Sequence, residues 1–116
     1  MILGMQRDEH FGPLMTFGVG GSMVEVLKDV AFYLAPLTYD EAREMLENSR
    51  TFQMLRPAPG RSGVDAEALA EGLQRISQLA GEFEQIQEVE INPFVVGEAG
   101  VTPVAVSARI RIGPVV

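Results

Sequence analysis

The stretch IQEVEINPFVVGEAGVTPVAVSARIRI, residues 86–112, decides the fold of this chain. Two runs of alternating apolar and polar residues flank the turn Gly97–Gly100, which is typical of an antiparallel hairpin. The apolar face of the second run consists of Val104, Val106, Ala108, Ile110 and Ile112, and its other face carries Ala105, Ser107, Arg109 and Arg111. The pattern predicts a pair of strands with a solvated face and an apolar face that packs on helices.

Two helices are predicted before this hairpin. The first begins after Thr38, which can cap it while Glu41 reaches back to the Thr38 amide, and its apolar face is Ala42, Met45 and Leu46. The second begins after the N-cap Asp65, and its apolar residues recur at helical spacing: Leu69, Leu73, Ile76, Leu79, Ala80 and Phe83. Gly72 inside it costs about 1 kcal/mol relative to alanine, which indicates close packing against a sheet.

Further strands are predicted in the first third of the chain. The apolar segment MILGMQR opens the sequence, the turn RDEHFGP follows, and PLMTFGV is a second strand that ends at the glycine cluster Gly18–Gly21. Two apolar runs, 23–27 and 30–35, predict one or two short strands that end at Pro36. Together the elements predict an α+β domain, with a largely antiparallel sheet and two helices on one face.

Composition limits the classes of function. The chain has 116 residues, enough for one domain, and a net charge of −7 with one lysine, which argues against nucleic-acid binding. It has no cysteine, one histidine and no apolar run of about 20 residues, so disulfides, thiolate catalysis, a histidine-rich metal site and a membrane span are not expected. No signal segment opens the sequence, and a cytoplasmic location is predicted.

The polar face of the hairpin is the first candidate site. Turn geometry predicts that residues whose numbers sum to about 197 lie opposite each other, within an error of two residues. This register places Glu90 near Ser107, Glu88 near Arg109 and Asn92 near Ala105. Two interpretations stay open: a solvated face held by Glu–Arg pairs, or a pair of oxygen ligands, Glu90 and Asn92, for a divalent cation such as magnesium.

Two other features are weaker candidates. The amides of Gly20 and Gly21 in the cluster Gly18–Gly21 are able to bind a phosphate, although a tight turn between strands explains the glycines equally. His10 lies in a predicted turn and is interpreted as a surface histidine.

Four segments carry a resemblance to a known family when they occur together. ILGMQRDEHFGP, FGVGGSMVEVLKDVAFYLAPLT, EVEINPFVV and VAVSARI follow in this order from Ile2 to Ile112. They resemble the C-terminal half of the ATP-grasp domain of ADP-forming acyl-CoA (acetyl-CoA) synthetases, which are related to succinyl-CoA synthetase. The resemblance implies that residues 1–116 are one subdomain of an ATP-grasp domain whose N-terminal half is absent from the chain.

The resemblance also implies a reaction and its participants. Such enzymes convert acyl-CoA, phosphate and ADP to the free acid, CoA and ATP, through an acyl phosphate and a phosphohistidine. Asn92 would be a ligand of Mg²⁺, and Glu90 would be a catalytic acid beside the phosphates of ATP or ADP. The implied partners are the N-terminal ATP-grasp half and the CoA-binding and phosphohistidine domain, so this chain alone is expected to be inactive.

One position departs from the family pattern. Relatives read AVDARI where this chain reads AVSARI, so Ser107 stands where the family has a metal-binding aspartate. A hydroxyl is a poorer ligand for a hard dication than a carboxylate. The alternative hypothesis is therefore a non-catalytic ATP-grasp descendant with an assembly or regulatory role, and a third is an unrelated small α+β binding module. Self-association is a further expectation, because an isolated half-domain exposes the face that meets its missing half.

Overall fold

The computed structural model describes residues 1–18, 31–49, 52–53, 59 and 63–114. Its helices are α1 (Tyr39–Glu47) and α2 (Ala66–Glu82). Its strands are β1 (Ile2–Asp8), β2 (Gly12–Gly18), β3 (Ala31–Leu34), β4 (Ile86–Ile91), β5 (Phe94–Val95), β6 (Val104–Ala105) and β7 (Ala108–Ile112). Five strands form one sheet in the order β3-β2-β1-β4-β7, with every neighbouring pair antiparallel, and β5 pairs with β6 separately. The predicted α+β class with a largely antiparallel sheet is confirmed.

The inner face of the sheet is set by strand register. Leu3 lies opposite both Phe17 and Ile91, and Met5 lies opposite both Met15 and Val89, so these alternating side chains share one face. Helix α2 packs on β1 and β2, while α1 packs on α2 and β3. The core therefore lies between one sheet face and the two helices, as predicted.

The helices follow their sequence signals. Both bonds of the capping box at Thr38 and Glu41 are present, and Ala42, Met45 and Leu46 are buried. The Asp65 side chain caps α2 by accepting from the Ala68 amide at 3.1 Å. The predicted stripe of α2 is buried at Leu69, Leu73, Ile76 and Ala80, partly buried at Leu79 and exposed at Phe83, because Phe83 is already the residue after the helix.

Gly72 allows α2 to approach the sheet closely. A Cβ at this position would lie 2.8 Å from Leu3 Cδ1 and 3.6 Å from Phe94 Cζ. The close packing that the glycine predicts is confirmed.

Polar contacts attach the helices to the rest of the fold. The Ser77 hydroxyl accepts from the Leu37 amide at 2.6 Å, and the Tyr39 hydroxyl of α1 donates to Glu67 of α2. The Arg7 guanidinium donates to the Ala80 carbonyl at 2.8 Å and to the Ile86 carbonyl at 2.9 Å. It thus satisfies one carbonyl in the last turn of α2, which has no partner inside that helix, and one carbonyl at the start of β4.

One expectation about the final hairpin is wrong. The hairpin itself forms: β4 pairs with β7, β5 pairs with β6, and Pro93, which lacks an amide for a ladder bond, lies between β4 and β5. However, the apolar face of the second run does not pack on the helices, because Val104, Val106, Ala108, Ile110 and Ile112 are all exposed. The helical layer covers the middle of the sheet and not its β7 edge.

Some predictions concern residues that the structure does not describe. The run 23–27 and the residues 19–21 of the glycine cluster lie outside the described residues, as does most of the connector 50–62. Within the described ranges, every helix is too short or too polar to cross a bilayer.

Candidate functional site

Charged side chains pair on the outer face of β4 and β7. Arg109 Nη2 lies 2.9 Å from Glu88 Oε1 and 3.2 Å from Glu90 Oε2, so one guanidinium bridges both carboxylates. Arg111 Nε lies 3.6 Å from Glu88 Oε2. All four side chains thus share the face that the alternation predicts, and the predicted contact between Glu88 and Arg109 is present.

The register of this strand pair differs from the predicted one by two residues. Glu90 lies opposite Arg109, Glu88 lies opposite Arg111, and Phe94 lies opposite Ala105, so opposing numbers sum to 199. The predicted proximity of Glu90 to Ser107 is replaced by the pair Glu90–Arg109. The connection between β5 and β6 is longer than the glycine turn alone, which moves the second strand along the first.

Asn92 is held in a turn by main-chain hydrogen bonds. Its amide donates to the Ser107 carbonyl at 3.0 Å, and the Val106 amide donates to the Pro93 carbonyl at 3.0 Å. The Phe94 amide donates to the Met1 carbonyl at 2.7 Å, which ties the segment to the start of β1. Phe94 also packs near Gly72 of α2. The sequence INPF therefore fixes the position of Asn92 through bonds on both sides and an aromatic anchor.

Ser107 is the residue across the ladder from Asn92. The prediction placed Ala105 there, and the shift of two residues brings Ser107 to this position instead. The position that carries an aspartate in the family pattern thus meets Asn92 through the main chain. The assignment of Asn92 and Ser107 as metal ligands stays a prediction.

Gly4 and Thr16 are neighbours of Glu90 that the sequence did not reveal. Gly4 lies opposite Glu90 on one side and Thr16 on the other. A Cβ at Gly4 would lie 2.8 Å from Thr16 Oγ1 and 3.0 Å from the Val89 carbonyl oxygen. The glycine therefore allows Thr16 and the Val89 carbonyl to lie closer together beside Glu90 than a side chain at this position would permit. No local motif reports this arrangement, because it depends on the pairing of β1 with β4 across 80 or more residues.

Three side chains near the end of β4 offer oxygen atoms of the types that a hard cation accepts, but only one of the three is charged. Glu90 offers a carboxylate, Asn92 an amide oxygen and Ser107 a hydroxyl, all of which are donor types that magnesium accepts. Among the described residues, no three histidine, cysteine or acidic side chains cluster as a metal site. The Arg109 guanidinium, 3.2 Å from the Glu90 carboxylate, balances part of the Glu90 charge.

The histidine candidate lies away from the end of β4. His10 lines an open depression of about 540 Å³ with Arg7, Asp8, Glu9, Glu84 and Gln87. His10 follows the C-terminal end of β1, whereas Asn92 lies near the N-terminal end of β1. The length of this strand separates the two residues by roughly 20 Å. The amides of His10 and Phe11 donate to the Asp8 carboxylate and hold its pKa below the usual value, which marks an ordinary turn. Gly20 and Gly21 lie outside the described residues.

Residues 1–112 match the model of an ATP-grasp domain family. This match covers almost the whole chain and is incompatible with the hypothesis of an unrelated small module.

Similar proteins are ADP-forming ligases. The chain is 42% identical over 109 residues to the beta subunit of acetate–CoA ligase [ADP-forming] I of Pyrococcus furiosus, covering 94% of this chain and 46% of that subunit. It is 43% identical over 100 residues to acetate–CoA ligase [ADP-forming] I of Archaeoglobus fulgidus, covering 86% of this chain and 15% of that protein. The chain therefore spans about half of one relative and a small part of the other.

A solved structure has the same fold. The dinucleotide forming acetyl-coenzyme A synthetase 1 of Ca. Korarchaeum cryptofilum, in complex with coenzyme A and Mg-AMPPCP, superposes with a TM-score of 0.88 at 36% identity. The match covers 96% of this chain and 51% of that one. The resemblance that the four sequence segments indicate is confirmed, and the ligands of that structure show that a similar protein binds a magnesium nucleotide.

Proposed function

Because this chain belongs to the ATP-grasp family, we propose that it is the C-terminal half of the nucleotide-binding domain of an ADP-forming acyl-CoA synthetase. The complete enzyme would convert acyl-CoA, ADP and phosphate to the acid, CoA and ATP, or catalyse the reverse reaction. The observation that carries the proposal is the turn at Asn92, held by main-chain bonds beside Glu90 and opposite Ser107. We also propose that the complete enzyme is cytoplasmic.

Each residue at the end of β4 would have a separate role. Asn92 and Ser107 would hold a magnesium ion at the end of β4, and Glu90 would be an acid beside the phosphates that orients this ion or the incoming phosphohistidine. A bound magnesium ion neutralises charge on a phosphoryl group as it is transferred. Arg109 would keep the Glu90 side chain in place on the sheet, since its guanidinium lies 3.2 Å from the carboxylate.

The complete site requires the rest of an ATP-grasp domain. The chain spans 46% of the Pyrococcus furiosus beta subunit, and the remaining part of such a protein would supply the adenine pocket. A CoA-binding domain with a phosphohistidine is a further proposed partner. On this proposal the 116-residue chain does not turn over substrate alone.

A chimera tests the proposal directly. This chain would replace the 109 matched residues of the Pyrococcus furiosus beta subunit, and binding of a fluorescent ADP analogue would be measured with magnesium and with EDTA. We expect magnesium-dependent binding, and a loss of at least about tenfold in affinity for Asn92→Ala. The unmodified beta subunit is the positive control. A folded chimera that binds no nucleotide would contradict the proposed function.

Ser107 favours a second candidate function, a non-catalytic ATP-grasp protein with an assembly or regulatory role. The hydroxyl lacks the charge of the aspartate in the family pattern, and the described residues contain no carboxylate cluster that compensates for it. The variant Ser107→Asp separates the two functions in the same chimera. A large gain in magnesium affinity or turnover indicates lost chemistry, whereas an unchanged, active protein indicates a site that works with serine.

A further inference from the structure

Strand β7 has an apolar face that the described part of the chain leaves uncovered. Ile110 lies opposite Val89, and Ile112 lies opposite Ile86, so both isoleucines point to the same side of the sheet as the core. Val89 is 2% exposed, whereas Ile110 is 50% and Ile112 is 71% exposed. We call Ala108, Ile110 and Ile112 the β7 strip.

The width of the helical layer explains why the strip is open. Two helices side by side cover roughly 20 Å, and sheet strands are about 4.8 Å apart, so two helices cover about four strands. Here α1 and α2 pack on β3, β2 and β1. The fifth strand, β7, is the edge beyond this layer, and covering it requires another element.

We propose that the β7 strip is the docking site for an amphipathic helix from the complementing half of the ATP-grasp polypeptide. This inference rests on the proposed function. The complementing half is the part of the relatives' chains that this chain does not span, about half of the Pyrococcus furiosus beta subunit. A helix on the strip would continue the layer of α1 and α2 and bury the isoleucines.

The position and charge of β7 favour this occupant over a second copy of the chain. Strand β7 pairs with β4, which carries Glu90, so a half that docks here is joined to the strands of the proposed nucleotide site. Edge-to-edge pairing of two copies would instead bring the arginines of both β7 strands, Arg109 and Arg111, onto one face. Like charges in cross-strand positions are unfavourable.

An association assay in trans tests the inference. The complementing part of the Pyrococcus furiosus beta subunit would be coexpressed with this chain and purified. It would then be titrated with this chain and with variants of this chain, and the affinity would be measured by biolayer interferometry. We expect Ile112→Asp to weaken association at least about tenfold, because it places a charge in an apolar contact. Leu34→Asp is the matched control, since Leu34 is 51% exposed on the opposite edge strand β3. It should change the affinity less than about twofold.

Each other outcome has a defined meaning. Equal losses for Ile112→Asp and Leu34→Asp, or no loss for either, would overturn the inference. Loss of self-association of the chain alone, with unchanged affinity for the complementing half, would overturn it in favour of a second copy. If Ile112→Asp does not fold by circular dichroism, the milder Ile112→Ser decides with the same criteria.

The proposed function fails separately from the strip. The chimera joins both halves in one polypeptide, so its nucleotide binding does not depend on association in trans. A chimera without nucleotide binding, combined with Ile112-dependent association, would refute the function and retain the docking site. Nucleotide binding by the chimera, combined with an affinity in trans that does not depend on Ile112, would support the function and refute the docking site.

Discussion

Val89 and Ile110 are cross-strand neighbours on one face of one sheet, yet they have opposite environments. Val89 contacts the core beneath the helices, and Ile110 is half exposed on the adjacent strand β7. The covered region holds the buried residues of β1, β2 and β4, while the β7 edge holds residues of the same apolar type. The difference shows that the side of a sheet and its coverage are separate properties.

The same two strands differ on their outer face as well. There β4 supplies two carboxylates and β7 supplies two arginines, and the four side chains pair. The edge strand is thus attached by backbone bonds and surface ion pairs, whereas the middle strands are also held by apolar packing. Variants in both regions test how far this contrast extends to stability.

The largest expected effect is the loss of a covered side chain. Leu73→Ala removes a fully buried side chain of α2 and should lower the free energy of unfolding by about 2–5 kcal/mol. Ile112→Ala removes a similar volume at the β7 edge and should change it by less than about 0.5 kcal/mol. Urea denaturation of the chain measures both. A loss above about 2 kcal/mol for Ile112→Ala would mean that another segment of this chain covers the strip.

Two glycines of α2 sharpen the contrast between packed and open surface. Gly72→Ala would place a methyl group 2.8 Å from Leu3 Cδ1, whereas a Cβ at Gly81 would have no atom of the described residues within 4 Å, apart from the adjacent backbone of α2. Overpacking costs about 1–3 kcal/mol and exceeds the helix preference of alanine, which is about 1 kcal/mol. We expect Gly72→Ala to destabilise the chain and Gly81→Ala to stabilise it in thermal denaturation. Stabilisation by both would show that Leu3 has room to move.

The ion pairs of β7 should contribute less than apolar packing. Arg109→Gln removes the contacts to both Glu88 and Glu90, and we expect a loss below about 1 kcal/mol because the guanidinium is well exposed. The loss should shrink when denaturation is repeated at high salt. Arg75→Gln, on a solvent-exposed pair with Glu71 in α2, is the control. A salt-independent loss of several kcal/mol would indicate that the ion pairs of Arg109 are shielded from solvent.

The smallest effect concerns the helical layer at alkaline pH. Tyr39 donates a hydrogen bond to Glu67, and this bond raises the pKa of Tyr39 above its usual value. A raised pKa in the folded state means that the stabilisation is complete below the unfolded pKa and is lost as the pH rises through the folded value. Tyr39→Phe should therefore flatten the decline of thermal stability at alkaline pH. An unchanged alkaline decline would show that this bond does not link α1 to α2.

Local signals predict much of the fold. The capping box at Thr38 and the stripe from Leu69 to Ala80 depend on residues a few positions apart, and both helices form where those signals lie. Strand alternation likewise identifies the charged and apolar faces of β4 and β7. The extent of the helical layer is a property of the assembled fold, and no pattern within 86–112 encodes it.

The candidate site was less predictable than the fold. EINP marks Glu90 and Asn92, but the partner of Glu90 depends on the register, which the longer connection between β5 and β6 shifts by two residues. Gly4 and Thr16 join Glu90 only through pairing of distant strands. A local motif therefore identifies the strand and its ligand types, while the neighbours that complete the site come from tertiary structure.

The most direct test of the central claim compares two carboxylates on one strand. Glu88 and Glu90 lie on the same face of β4, and both contact Arg109. In the chimera with the Pyrococcus furiosus subunit, the ratio of ADP affinities with and without magnesium would be measured for Glu90→Gln and Glu88→Gln. We predict that Glu90→Gln lowers this ratio at least about tenfold and that Glu88→Gln leaves it within about twofold. Equal ratios for the two variants would contradict a magnesium-nucleotide site at the end of β4.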